Sequence, residues 1–316
     1  MRPSAIFGPV ASSRLGRSLG LDLLGAKVCS YDCLYCEVGA TVDKTLTRRP
    51  YVPAEELLRE LAQWRDEHVA LPLDHVTLGG MGEPCLNSDI LEIIAGAREL
   101  FPATPIAVLT NASMLQDPAV RCELFSADVV LPSMDALEPE AFKRINRPHP
   151  DIDLDAVARG LLDFRQEYAG RIYLEVLLAA GINDGPEHLE RMREYVRRLQ
   201  PERVDVTTLS RPGTSARAKA VDAGTLTIWR EALGVAQGAQ VMSEAGAQRA
   251  RQGGPALQAA IRRSLLRRPQ TAEQLAQALG ADPADVTEAL ASLLDQGHIR
   301  QEGKPDDAAG IFYRSV

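Results

Sequence analysis

The sequence predicts an α/β protein in which a partial (β/α)6 TIM-like barrel is followed by a small C-terminal domain. Six short apolar strand candidates alternate with amphipathic helix candidates, and this alternation is typical of a parallel sheet. Six βα units on about 210 residues suit a partial barrel better than an eight-stranded one. An open doubly wound sheet is the alternative, but no glycine-rich dinucleotide turn follows the first strand candidate.

The first strand candidate, Leu19–Leu24, follows a segment at 7–18 that is rich in Gly, Ser and Arg. A helix then opens at Pro53, and its apolar residues have the spacing of a single buried face. The later strand candidates are His75–Leu78, Pro105–Leu109, Asp128–Leu131, Arg171–Leu178 and Arg203–Leu209. The helix candidates that alternate with them are Ser88–Leu100, Pro139–Ile145, Leu154–Tyr168 and Pro186–Leu199.

The first domain, predicted at 1–243, ends with a helix at Thr225–Leu233 and a short strand at Gln240–Ser243. Residues 244–254 include no large apolar side chain, which predicts a linker. The second domain, 255–316, has the winged-helix pattern of three short helices and a β-hairpin. Its elements are Leu257–Leu266, Thr271–Leu279 with Thr271 and Gln274 as a capping box, Pro283–Leu294, Gly297–Arg300 and Gly310–Arg314.

The composition is that of a globular protein, with 45% hydrophobic and 25% charged residues. A formal charge of -8 excludes bulk attraction to phosphate backbones, so contact with nucleic acid would need a local basic patch. The N-terminus lacks the apolar stretch of a secretory signal, and no run of about eighteen apolar residues occurs. We therefore expect a cytoplasmic protein that has no membrane partner and keeps its thiols reduced.

Three of the five cysteines, Cys29, Cys33 and Cys36, lie within eight residues on a loop after the first strand candidate. Reduced, clustered cysteines favour metal binding over disulfides. A structural zinc ion normally takes four protein ligands, whereas an iron–sulfur cluster held by three thiolates leaves one iron open to another ligand. The alternatives are a zinc site completed elsewhere in the chain and chance clustering.

The spacing of these cysteines, with Tyr35 before the last one, resembles the radical S-adenosylmethionine (radical SAM) superfamily, whose hallmark is Cys-x3-Cys-x2-Cys. The resemblance implies a 4Fe-4S cluster on Cys29, Cys33 and Cys36, with S-adenosyl-L-methionine chelating the fourth iron. It also implies an external one-electron reductant, a flavodoxin or a ferredoxin. Reductive cleavage then yields a 5'-deoxyadenosyl radical that abstracts hydrogen from a substrate.

A second motif, Gly79-Gly-Met-Gly-Glu-Pro84, follows the second strand candidate. Read alone, it is a tight turn, but its glycines also let the backbone approach a ligand closely. The motif resembles the family's glycine-glycine-glutamate element, which receives the methionine amino group. The implied S-adenosylmethionine contacts are Gly79, Gly80, Gly82, Glu83 and Pro84.

Polar residues follow the next three strand candidates, where a barrel active site would need them. Similar positions in the family contact the ribose hydroxyls and the methionine carboxylate. The candidates are Asn111, Ser133, Asp135 and Asn183, with Asn111 and Ser133 preferred. Each could instead be a capping or turn residue.

Glu175 interrupts an otherwise apolar strand. Because burying an unpaired carboxylate is costly, it should either face the barrel lumen with a partner or lie near an exposed edge, and we favour the lumen. Arg211, just past the sixth strand candidate, is a plausible partner for a carboxylate at the mouth of the lumen. Cys85 and Cys122 are too few for a second cluster and are interpreted as core thiols.

Further motifs between residues 7 and 212 resemble a bacterial branch of radical enzymes that is grouped with the tRNA wyosine-base synthases. They are Phe7–Val10, Arg14–Gly20, Ser133–Ala136, Ile145–Pro148 and Gly181–Asp184. The wyosine enzymes carry a second cluster or a flavodoxin-like domain, and this chain has too few cysteines for the one and too few residues for the other. An RNA base and a peptide or protein both remain possible substrates.

The C-terminal domain is disfavoured as a DNA-binding module, because its third helix has four acidic residues and no Lys or Arg. The acidic residues are Asp282, Asp285, Glu288 and Asp295. A helix in the major groove is normally basic. Arginines cluster instead on and after the first helix, at Arg262, Arg263, Arg267 and Arg268. We rank a structural or protein-docking role first, RNA second and DNA third. The competing class is a non-catalytic metal or redox sensor that reads DNA.

Overall fold

The computed structural model describes residues 4–68, 71–210, 215, 217–234, 254–266, 269–302 and 311–316. The strands are β1 (Ile6–Ser12), β2 (Gly16–Asp22), β3 (Val28–Cys29), β4 (Asp43–Lys44), β5 (His75–Gly79), β6 (Ile106–Thr110), β7 (Val129–Pro132), β8 (Arg171–Leu178), β9 (Arg203–Thr208), β10 (Ile299–Glu302) and β11 (Phe312–Ser315). The helices are α1 (Ala54–Glu67), α2 (Ile90–Leu100), α3 (Pro118–Glu123), α4 (Pro139–Ile145), α5 (Leu154–Glu167), α6 (Pro186–Leu199), α7 (Ala223–Ala232), α8 (Pro255–Leu265), α9 (Ala272–Leu279) and α10 (Pro283–Asp295). A 3-10 turn covers Pro84–Leu86.

The central sheet has the strand order β1-β2-β5-β6-β7-β8-β9. Every pair from β2 to β9 in this order is parallel, and β1 joins β2 as an antiparallel edge. The predicted α/β class and partial barrel are therefore confirmed. Strand β1 was not predicted, because its register shifts between Phe7 and Val10 and the bulge hides the period of two that marks a strand.

The alternation along β8 shows how the sheet is covered. Ile172, Leu174 and Val176 are buried in the main core, which includes apolar residues of α1, α2, α5 and α6. Tyr173 and Glu175 point to the opposite face of the sheet. That inner face is the lumen side of the partial barrel, as predicted for Glu175.

A small apolar cluster covers part of the inner face. Leu15, from the turn between β1 and β2, packs there with Ala107, Val129 and Leu131, and Tyr173 lies against them. The polar candidates Asn111 and Ser133 directly follow β6 and β7, at the carboxyl ends of these parallel strands.

The C-terminal residues form a separate core built on α8, α9, α10 and β10. Strands β10 and β11 pair antiparallel, and the capping box of Thr271 and Gln274 is present. These are the elements that were predicted for residues 255–316. The winged-helix assignment and the domain boundaries stay predictions. Strand Gln240–Ser243, linker residues 244–253, Arg267 and Arg268 lie outside the described residues.

No helix in the described ranges is both long enough and apolar enough to cross a membrane.

Candidate functional site

The cysteine loop begins at the end of β3 and is held from two sides. Strand β3 pairs with β4, so that Cys29 lies opposite Lys44. On the other side, the Leu34 backbone N–H donates to the Ile145 carbonyl at 2.9 Å, and Tyr31 packs edge-on against Phe142. The end of α4 and strand β4 therefore fix the path of the loop before any ligand is considered.

Each of the three loop sulfurs accepts a hydrogen bond from a different side-chain nitrogen. Such donors suit sulfur that carries negative charge, because hydrogen bonds to charged acceptors are the stronger ones. One donor is an ammonium and two are amides. The pairs are Lys27 Nζ to Cys36 Sγ at 3.0 Å, Asn111 Nδ2 to Cys29 Sγ at 3.5 Å and Asn146 Nδ2 to Cys33 Sγ at 3.5 Å.

The thiols themselves are better suited to bind a metal group than to act as nucleophiles. Burial raises the pKa of Cys29 to about 11, and it raises the pKa of Cys33 well above its usual value. A thiol in such a place becomes a thiolate when a metal takes its proton's position. Among the described residues, no group of three or more His, Cys, Asp or Glu side chains has the arrangement of a metal-ion site.

The glycine loop after β5 lies directly against the strand that leads into the cysteines. A Cβ at Gly82 would overlap the Val28 carbonyl, and the Glu83 backbone N–H donates to that carbonyl at 3.2 Å. Gly80 has φ of +120°, a backbone conformation that side chains rarely adopt. Gly79 has only ordinary contacts, the nearest at 3.6 Å. The glycine motif therefore does more than form a turn, because it brings the backbone at Gly82 close to the backbone of Val28.

The carboxylate of Glu83 is turned inward, with 2% of the residue exposed. It accepts hydrogen bonds from the Cys85 backbone N–H at 3.0 Å, from Thr110 Oγ1 at 2.7 Å and from the Asn111 backbone N–H at 2.6 Å. Burial raises its pKa, and these hydrogen bonds oppose the shift. Glu83 thus ties the glycine loop to the end of β6.

Asp135 is the centre of a buried network behind the cysteines. Its carboxylate accepts from Tyr35 Oη at 2.5 Å, from Asn146 Nδ2 at 2.7 Å and from the Leu177 backbone N–H at 3.0 Å. Burial raises the pKa of Asp135 to about 6. The network joins the cysteine loop, α4 and β8. Tyr35 and Asp135 are therefore placed to orient the cysteine loop.

Asn183 is similarly occupied by backbone groups. Its Nδ2 donates to the carbonyls of Asp135 at 2.7 Å and Leu177 at 2.8 Å, and its Oδ1 accepts from the Ala179 N–H at 2.8 Å. These contacts favour a positioning role over direct contact with a ligand. Asn111, in contrast, also reaches Ser30 Oγ at 2.8 Å beside the cysteines. The S-adenosylmethionine contacts named above stay predictions.

Glu175 has an ion-pair partner in the lumen, which is Arg14 from the turn between β1 and β2. Ser133 Oγ donates to Glu175 at 3.5 Å, so the pair borders one of the preferred ligand candidates. The partner considered from the sequence, Arg211, lies outside the described residues. Arg14 was named from the sequence only as the start of the motif Arg14–Gly20, and its pairing with Glu175 was not predicted because β1 and its turn were not recognised.

Removing one member of this pair should cost more stability than removing both. The two side chains are only 24% and 21% exposed, so the single variants Arg14→Met and Glu175→Gln each leave a charge with poor solvation. We expect a coupling free energy of about 1–2 kcal/mol from a double-mutant cycle measured by urea unfolding. The exposed pair Glu55–Arg59 is the control, with an expected coupling below about 0.5 kcal/mol. Equal coupling in both cycles would contradict the buried pair's role.

The two remaining cysteines differ from each other. Cys85 is fully buried next to Thr110, which confirms it as a core thiol. Cys122 is exposed, so its interpretation as a core thiol is wrong. Cys122 lies on helix α3, which has only six residues. A helix this short has too few apolar positions for their spacing to show which face is buried.

Sequence reasoning also missed Lys27 and Asn146, which touch two of the three sulfurs. Asn146 belonged to a recognised motif at Ile145–Pro148, and that was the signal that could have indicated it. Lys27 lies two residues before Cys29 and had no pattern of its own.

Comparison with known proteins identifies the family of this chain. The family model described as the radical SAM superfamily matches residues 24–196. A protein named GTPase Obg from Brachyspira hyodysenteriae is 30% identical over 303 residues, which are 96% of this chain and 44% of that protein. A UPF0026 protein from Synechocystis sp. is 36% identical over 209 residues, 66% of this chain and 76% of the relative.

Among solved structures, a radical SAM methyltransferase from Sphaerobacter thermophilus has a TM-score of 0.52 at 18% identity, covering 68% of this chain and 62% of that one. At this identity the likeness supports the fold alone. The chain spans less than half of the Brachyspira protein, so that protein's name does not transfer. The family model covers more than half of the 316 residues, and the chain belongs to the radical SAM superfamily, whose members use a 4Fe-4S cluster and S-adenosylmethionine.

Proposed function

We propose that this chain is a radical SAM enzyme that holds one 4Fe-4S cluster on Cys29, Cys33 and Cys36 and abstracts hydrogen from an RNA base or from a peptide or protein. One observation carries the proposal. Each of the three sulfurs of the cysteine loop accepts a hydrogen bond from its own N–H donor. The glycine loop after β5 lies against Val28 of β3, the strand that leads into these cysteines.

When bound, the cluster and S-adenosylmethionine supply reductive cleavage to a 5'-deoxyadenosyl radical, with the electron delivered by a flavodoxin or a ferredoxin. The chain's own residues bind S-adenosylmethionine and orient the cysteine loop. Carbonyls of the loop Gly80–Gly82 receive the methionine amino group, and Glu83 holds that loop to β6. Asn111 and Ser133 contact the ribose hydroxyls and the methionine carboxylate of S-adenosylmethionine. Asp135 keeps the cysteine loop in register with β8 through Tyr35 and the Leu177 N–H.

The substrate would meet the polar part of the inner face. Arg14 and Glu175 lie there, together with Asp205 and Thr207 of β9. Thr207 Oγ1 is buried and has no hydrogen-bond partner among the described residues. A polar wall suits a nucleobase or a peptide amide better than a hydrocarbon. The resemblance to the wyosine-base branch is consistent with an RNA base, and a peptide or protein substrate stays equally open.

Anaerobic reconstitution with iron and sulfide, followed by reduction and product analysis, tests the enzyme. We expect 5'-deoxyadenosine to form as S-adenosylmethionine is consumed. A chain that binds zinc in place of iron and sulfide, and forms no cleavage product, would show the proposal to be wrong. Ultraviolet crosslinking to tRNA and co-purification with peptides then separate the two substrate classes.

The competing regulator finds little support in the described residues. Helix α10 would be the DNA-reading helix, yet it carries no Lys or Arg and exposes Glu288 and Asp295. Arg262 and Arg263 on α8 are exposed, which fits a solvated basic face. Phosphate binding through α10 would be opposed by its charge.

A further inference from the structure

Lys27 is a buried lysine, and within the part of the chain that the structure describes its ammonium has one hydrogen-bond partner, a cysteine sulfur. The residue is 8% exposed, and its Nζ lies 3.0 Å from Cys36 Sγ. No carboxylate of the described residues forms an ion pair with it. The residue is also held in place, because the backbone N–H groups of Val42 and Asp43 both donate to its carbonyl, at 3.0 and 3.2 Å.

A buried ammonium needs a compensating negative charge. Transfer of an isolated ammonium from water into a poorly solvated site is unfavourable. A neutral thiol is a weak acceptor and returns little of that cost. A metal-bound thiolate carries the required charge, so the position of Lys27 makes sense when Cys36 is a ligand.

We propose that Lys27 sets the reduction potential of the cluster by acting through Cys36. This inference rests on the proposed function. One-electron reduction by the external reductant adds one negative charge to the cluster, and a fixed positive charge beside a ligand favours the more negative state. Lys27 is therefore a positioning residue that makes the cluster easier to reduce, and it transfers no electron or proton itself.

The other two donors act more weakly. Asn111 and Asn146 present neutral amides to Cys29 and Cys33 at 3.5 Å, and a dipole at that distance interacts with the added charge less than an ammonium at 3.0 Å does. Among the three donors, the charged one should therefore have the largest effect.

The test is a redox titration of the reconstituted full-length chain, followed by electron paramagnetic resonance, in which iron and sulfide per chain are measured first. The neutral variants are Lys27→Met and Lys27→Gln, and Lys27→Arg keeps the charge. Lys44→Met is the matched control, because Lys44 lies opposite Cys29 in the β3–β4 ladder but is exposed, with its Nζ on the Arg147 and Pro148 carbonyls. Its charge is screened by solvent.

At a fixed potential we expect the ratio of reduced to oxidised cluster to fall at least tenfold in the neutral variants, which is about 59 mV for a one-electron couple. Lys27→Arg and Lys44→Met should stay within about threefold of the wild type. The inference would be overturned if the neutral variants had the same ratio of reduced to oxidised cluster as Lys44→Met, or if their clusters were easier to reduce than that of the wild type. Neutral variants that lose the cluster while Lys27→Arg keeps it would also overturn it, by showing a role in assembly. A wild-type chain that binds no cluster would instead contradict the proposed function.

Discussion

Single replacement of Cys29, Cys33 or Cys36 by alanine should remove most of the iron and sulfide that the reconstituted chain binds. Each variant leaves two thiolates on the loop, and two cannot hold three corners of a cubane cluster. We expect at least a tenfold loss of bound iron and of the brown absorbance, measured after desalting. This is the largest effect that the structure predicts.

Cys122→Ala and Cys85→Ala are the controls for this experiment. Cys122 is exposed on α3, and Cys85 is fully buried between the glycine loop and Thr110. Cys122→Ala therefore controls for the loss of any thiol, and Cys85→Ala controls for the loss of a buried thiol. Both variants should keep the full iron and sulfide content. Loss of colour in either of them would show that the ligand assignment is wrong.

Gly82→Ala should produce the second large effect. The added Cβ would overlap the Val28 carbonyl, a backbone atom that can move only together with the strand leading into Cys29. We expect an unfolding free energy lower by about 1–3 kcal/mol, and S-adenosylmethionine affinity reduced at least tenfold. Urea unfolding and anaerobic equilibrium dialysis measure the two quantities.

Gly79→Ala is the matched control, since it lies in the same loop and its Cβ would meet only the Leu109 side chain at 3.6 Å. It should change the unfolding free energy by less than about 0.5 kcal/mol and leave binding intact. If Gly79→Ala and Gly82→Ala behaved alike, the close approach of the loop to Val28 would not be what the motif requires.

Elements whose signals are local were predicted almost to the residue. Helices α4 and α6 begin at Pro139 and Pro186, and a proline at the first helical position predicts the start of a helix from a few neighbouring residues. Strand β8 was also predicted with its full extent. Strand β1 was missed because its bulge breaks the alternation, and the same gap hid Arg14, the partner of Glu175.

The candidate site divides in the same way. The cysteine spacing and the Gly-Glu-Pro motif are contiguous, so the sequence indicates the cofactors without any knowledge of contacts, and the family match agrees. The roles of single side chains are different. Glu83 is a predicted S-adenosylmethionine contact, and only the structure shows that its carboxylate also accepts hydrogen bonds from the end of β6. Lys27 showed no pattern and nevertheless touches Cys36.

The sequence by itself determined the α/β class, the alternation of strands and helices, and three thiols close enough along the chain to share one inorganic group. Only the tertiary structure decided which nitrogen faces which sulfur, which carboxylate is paired in the lumen and which glycine cannot accept a Cβ. The physical reason is that spacing along the chain fixes local geometry. Contacts such as Arg14 with Glu175, or Asn111 with Cys29, depend on which strands become neighbours.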